Sequence, residues 1–166
     1  MTLTSFLNQQ YLDKFMPSVT GVTYRVYQPY YVEQYKGLDN YGFPHMSTQD
    51  RKNHINHQSE CGPSVAVFVE SDLVAIFGMV LVWKGVGEAW STFDEKARRY
   101  PIAMTKSAFT FFDICEILFN LHRVQITVDS NDSRAMRWAK CLKFESEGLM
   151  KEYSSDKKDY HIMRRK

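Results

Sequence analysis

The chain predicts a mixed α/β (α+β) fold, a central and mostly antiparallel sheet with one strand-helix-strand crossover and helices on both faces. Three observations carry this expectation. Residues 64–70, 73–84 and 87–93 are apolar, β-branched runs separated only by Ser71-Asp72 and by Gly85-Val86-Gly87, and connections this short make an antiparallel meander. Ala108, Phe111, Phe112, Cys115, Leu118, Phe119 and His122 recur at three- and four-residue spacing, the mark of an amphipathic helix that leads into the apolar strand 124–128. The last third of the chain, 123–164, then reads strand, polar turn, helix, strand, hairpin, strand.

In chain order, residues 22–28 (VTYRVYQ) alternate as a strand, and Pro29 ends it. Residues 30–35 start a short helix, and 37–44 (GLDNYGFP) form a turn-rich break. Residues 48–59 are polar with helical propensity, which predicts a surface helix. The meander follows, then a basic loop at 94–101, the long helix, and strand 124–128. Residues 129–133 (DSNDS) offer cap residues for a short helix. Strand 144–149 and the strand ending Asp159-Tyr160-His161-Ile162-Met163 close the sequence. No repeat or linker interrupts it, so residues 1–166 are expected to form a single domain.

Composition narrows the function. A net charge of +2 leaves no electrostatic footprint for nucleic acid or an anionic membrane. The longest apolar run, 73–83, has 11 residues, against about 20 for a membrane helix. No basic segment followed by an apolar stretch opens the chain, so no secretory leader is expected. Cys61, Cys115 and Cys141 are odd in number with no CxxC, which favours a reducing compartment and a cytoplasmic protein. The pattern His54-x-x-His57-x-x-x-Cys61 with His45 upstream has no second tight ligand pair, and no metal is expected. The chain carries no GxSxG elbow, P-loop or dinucleotide fingerprint.

The text VQITV, Asn131-Asp132, Ala139, Leu142-Lys143-Phe144, Glu147-Gly148, Asp159, Met163 resembles the C-terminal half of the GCN5-related N-acetyltransferases, written roughly V…N…A…LGF…EG…D…M. The order of elements extends the resemblance over about 22–164. It implies acetyl-CoA as co-substrate, an amine on a small molecule or a protein or peptide as acceptor, and direct attack of that amine on the thioester. Such chemistry asks for positioning, a base and a polarised carbonyl. It also implies that the third meander strand and the crossover strand diverge, with the pantetheine arm between them and the pyrophosphate at the N-terminus of the long helix.

Residue by residue, the resemblance places cofactor contacts at Thr92 and Phe93 on the third strand. It adds Arg98, Arg99 and Ala103 in the phosphate turn, and Asn131 and Asp132 before the last helix. Glu88, on one face with Trp90 and Thr92, is the expected base, and Tyr153 the substitute proton donor. Three positions depart from the pattern. Pro101 stands where the family writes its first glycine, Ala139 where a tyrosine often sits, and Lys143 in place of the glycine of LGF. Lys96, Arg98 and Arg99 are expected to compensate at the phosphates. The degenerate turn, with Ala89-Trp90-Ser91, also resembles small proteins of this fold in tailed phages. The alternative is therefore a phage binding or virion assembly component without catalysis, in the host cytoplasm. Tyr24, Tyr27, Tyr30, Tyr31, Tyr35 and Tyr41 are read either as core or as an aromatic lip for an acceptor or protein partner.

Overall fold

The structure, a computed structural model, describes residues 7–166; residues 1–6, where a leader pattern would begin, lie outside the described residues. Among the described residues seven strands form one sheet: β1 (Val22–Val26), β2 (Ser64–Val69), β3 (Asp72–Trp83), β4 (Val86–Phe93), β5 (Arg123–Asp129), β6 (Phe144–Met150) and β7 (Tyr160–Arg165). Their order is β1-β2-β3-β4-β5-β7-β6. Every pairing is antiparallel except β4 with β5. That parallel pair is bridged by α3 (Pro101–Leu118), because parallel neighbours need a crossover. The other helices are α1 (Gln9–Phe15), α2 (Thr48–Glu60) and α4 (Ser133–Cys141).

The sheet buries both faces. One carries Val65, Val67, Phe77, Met79 and Ala89 against Met104, Ala108, Phe111 and Cys115 of α3 and Ala139 of α4. The opposite face packs Ala66, Leu73 and Ile76 against Tyr27, Val32, Tyr35, Leu38, Tyr41 and Ile55. The alternation is the two-residue strand period along β2 and from Ala75 to Met79 of β3, and a register shift at Val67/Phe68 puts Leu73 on the same face as Ile76. Helix α2 is polar apart from Ile55, which is fully buried. Its N-terminus is capped by Ser47, whose hydroxyl accepts from the Asp50 N–H at 3.0 Å.

Two elements differ from the expectation. Helix α1 has no counterpart in the sequence reading; its 7 residues rest on an Asn8 cap and one buried side chain, Leu12, too little periodicity to register. The segment after Pro29 is a 3-10 turn (Pro29–Glu33), followed by a second (Leu38–Asn40). Tyr24, Tyr27, Tyr35 and Tyr41 are buried. Their hydroxyls bond Ser107 at 2.6 Å, Asn56 at 2.6 Å, Thr92 at 2.9 Å and Gln58. The core reading holds for these four, and the aromatic lip reduces to exposed Tyr30 and half-buried Tyr31.

Two local features fix the backbone on either side of the sheet. Arg51 of α2 donates to three backbone carbonyls, Leu38 O at 2.8 Å, Phe43 O at 3.0 Å and Met46 O at 3.3 Å. It thereby clamps the loop between the second 3-10 turn and α2. Lys143, just past the C-cap of α4, has φ +72°, the left-handed conformation that helix ends usually give to glycine. The Lys143→Gly variant is expected to be more stable by about 0.5–1 kcal/mol in urea unfolding. Arg51→Ala should speed amide exchange across 38–47 about tenfold, the loss of charged hydrogen bonds from a local structural unit, with the sheet unaffected.

Candidate functional site

The parallel register between β4 and β5 covers Val86–Arg123, Gly87–Val124 and Glu88–Gln125 and then stops. Beyond it β4 continues to Phe93, paired only with β3, and β5 continues to Asp129, paired only with β7. Each strand therefore turns one unpaired backbone edge toward the other. Backbone N–H and C=O groups in such a place seek partners. A ligand carrying amide groups in an extended chain would supply them.

Glu88 sits at the last pair before the strands part. Its Oε1 accepts from Gln125 Nε2 at 3.0 Å, and Gln125 Oε1 in turn accepts from Arg123 Nε at 2.7 Å. Strand alternation puts Glu88 on the α2 face with Trp90 and Thr92. The Trp90 indole lies over Gly78, where a Cβ would collide with it. Thr92 is buried and its hydroxyl is joined to Tyr35, so it offers a ligand its backbone alone. Burial pushes the Tyr35 phenol above its ordinary value, and it stays protonated. Phe93 points to the other face, edge-on to Phe77 at 5.5 Å and to Trp138 of α4 at 5.1 Å. Trp138 Nε1 donates to Thr105 Oγ1 at 3.0 Å, which ties α4 to the first turns of α3.

At the open end of β4, Asp94 is buried and its Oδ1 accepts from the Ala97 N–H at 2.8 Å. Burial raises its carboxyl pKa, and hydrogen bonds from the amides of Ala97 and Lys96 pull it back. A 3-10 turn (Ala97–Arg99) follows, and α3 begins at Pro101. Proline there suits the first helical position, whose N–H would have no intrahelical acceptor anyway. The first helical bond of α3 runs from Met104 N to Tyr100 O at 3.0 Å. The amides of Ile102 and Ala103 precede it and lie at the positive end of the helix dipole. Arg98 and Arg99 are exposed beside this terminus, with Arg98 3.6 Å from Glu95. Lys96 does not join them: it is bound to Asp72 at 2.8 Å and Glu70 at 3.4 Å across the β2–β3 turn.

The remaining expected residues divide. Asp132 is the N-cap of α4, its Oδ1 accepting from Ala135 N at 3.0 Å. Asn131 is exposed in the same turn, its N–H donating to Asp129 Oδ1 at 2.9 Å. Ala139 is buried against α3. Tyr153 lies in the loop between β6 and β7, half-exposed, its ring 5.2 Å from that of Tyr160 at the start of β7. It shares no hydrogen bond or ring contact with Glu88 among the described residues; Tyr153 N–H donates to Lys158 O at 2.9 Å. Sequence reasoning missed Gln125, Trp138, Asp94 and Arg51. Of these only Asp94 carried a local signal, a polar residue just past a strand. Among the described residues no three His, Cys, Asp or Glu side chains converge as a metal site requires, and no helix is long and apolar enough to cross a membrane.

Comparison of the sequence with protein-family models found none that matches, and comparison with curated proteins found none either. Solved structures do match. Ard1 from Thermoplasma volcanium superposes with a TM-score of 0.72 at 18% identity, over 88% of this chain and 97% of that one. The ribosomal L7/L12 α-N-protein acetyltransferase RimL, in complex with coenzyme A, gives 0.70 at 15% identity, over 90% and 96%. A GNAT-family acetyltransferase from Bacillus anthracis gives 0.68 at 16% identity, over 89% and 95%. The resemblance to phage proteins gains nothing from these neighbours. The chain has the fold of the GCN5-related N-acetyltransferases.

Proposed function

We propose that this chain is an N-acetyltransferase that uses acetyl-CoA to acetylate an amine. The observation that carries the reading is the end of β4–β5 pairing at Glu88–Gln125, which leaves two facing backbone edges beside a helix N-terminus. The cofactor, when bound, supplies the activated acyl thioester. The backbone of Thr92 and Phe93 would meet the amides of its pantetheine arm. The Ile102 and Ala103 amides, with Arg98 and Arg99, would meet the phosphates, and the Asn131 side chain would reach the same mouth. These residues fit despite Pro101, because proline removes one donor from a terminus that keeps two more.

Glu88 is the base in this reading. It stands on the α2 face where the strands part, and its second carboxylate oxygen would take a proton from an ammonium group while Gln125 holds the first. The usual tyrosine position is closed, since Ala139 is buried. Tyr153, on the β6–β7 loop, is the proposed donor to the departing thiolate.

Calorimetric titration with CoA tests the phosphate assignment. Arg98→Ala with Arg99→Ala is expected to weaken affinity at least about tenfold, near 1.4 kcal/mol, and unchanged affinity would remove those residues from the site. Glu88→Gln keeps the Gln125 contact within reach but cannot accept the proton. It should lower kcat about a hundredfold with the KM for acetyl-CoA little changed. A full rate in that variant would place the base elsewhere.

A further inference from the structure

The loop that Arg51 clamps forms one wall of a cavity of about 450 Å³, lined by Tyr41, Phe43, Met46, Asp50 and His54, with Ser155 from the β6–β7 loop. His45, also in the lining, lies 3.5 Å from Ser155 Oγ. The cavity thus joins the loop that follows the 3-10 turn packed on β4 to the loop that leads into β7. In the sheet β5 lies between those strands, so the cavity links elements on either side of the β4–β5 gap, and α2, which contributes Asp50 and His54, lies on the face that Glu88 shares with Trp90.

Its chemistry is specific. Two ring pairs shape the wall: Phe43 stacks on His45 with planes 8° apart and centroids 6.0 Å apart, and Tyr41 lies 5.8 Å from His54. His54 is held below its ordinary pKa by desolvation and by the charge of His57, so at neutral pH it presents an uncharged ring. Asp50 is the carboxylate of the lining, and among the described residues no hydrogen bond or ion pair engages its side chain. The Arg51 charge is directed into the loop, onto its three carbonyl oxygens. Flat aromatic faces with one free carboxylate suit a planar, weakly hydrated organic cation, which stacks on rings and pairs with the carboxylate in a two-point contact. A compact, strongly hydrated ammonium gains less there.

We propose that this cavity is the specificity pocket for the acceptor and that it takes a guanidinium group, the side chain of an arginine in an acceptor peptide. The assignment rests on the transferase reading of the cleft. The amine to be acetylated lies elsewhere on the same peptide, toward Glu88, while the cavity holds the arginine. Asp50 supplies the countercharge, and Arg51 is a positioning residue that keeps the Phe43 and Met46 backbone in place.

The test titrates N-acetyl-arginine methylamide into the full chain while the imidazole C–H signals of His45 and His54 are followed by NMR, each assigned with a His→Gln variant. Its citrulline and lysine counterparts are titrated alongside. The expected result is saturable shifts at both histidines, with affinity for the arginine probe about tenfold above the neutral citrulline probe and clearly above the lysine probe. Asp50→Asn should erase the advantage over citrulline. Equal binding of arginine and citrulline, lysine binding as well as arginine, or no saturable shift would each overturn the proposal. A parallel titration with acetyl-CoA judges the transferase reading by itself: absent cofactor binding with intact arginine selectivity would overturn that reading and leave a guanidinium site.

Discussion

The constraint on which the rest of this structure depends is the point where β4 and β5 stop sharing hydrogen bonds. A sheet this well buried elsewhere satisfies its backbone strand by strand. Here the parallel ladder ends after Glu88–Gln125. On the α3 face a run of aromatic rings packs the end of β4: Phe111, Phe77, Phe93 and Trp138 stand in sequence from α3 to α4. From the α2 face the Tyr35–Thr92 hydrogen bond anchors the end of β4.

The cleft separates two chemistries on opposite sides of one sheet. On one side lie the α3 N-terminus and the exposed Arg98 and Arg99, an environment for anions. On the other lie Glu88, the Arg51-clamped loop and Asp50, an environment for a cation. In the proposed reading both are needed, because the enzyme would join an anionic cofactor to an amine where the sheet is open. The buried Asp94 lies between Glu88 and Arg98 in sequence and accepts from the Ala97 N–H, which shapes the turn that leads into α3.

Much of the frame was legible in the sequence because its signals are local. Short turns at Ser71-Asp72 and Gly85-Val86-Gly87 forced the meander, and the spacing from Ala108 to His122 marked α3, which ends at Leu118. The resemblance of the last third placed β5, α4 and the terminal hairpin. Lys143 was visible as a departure, and the structure shows it accepting the left-handed backbone that glycine would take at lower cost. What escaped the sequence depends on contacts between distant residues. The tyrosines of the first 41 positions look alike in text, yet partners 17 to 83 residues away decide which are core. Lys96 reads as a phosphate ligand until its two carboxylate partners on the β2–β3 turn are known. The role of Arg51 lies in three carbonyls that no motif records.

The central claim is that the unpaired edges of β4 and β5 receive the amide-bearing arm of CoA, and backbone hydrogen exchange tests it directly. The amides of residues 89–93 and 126–129 are to be followed with and without saturating CoA. The account predicts slowed exchange in both segments, together with the first turn of α3. Protection confined to α3, or no change in either strand at millimolar CoA, would contradict it.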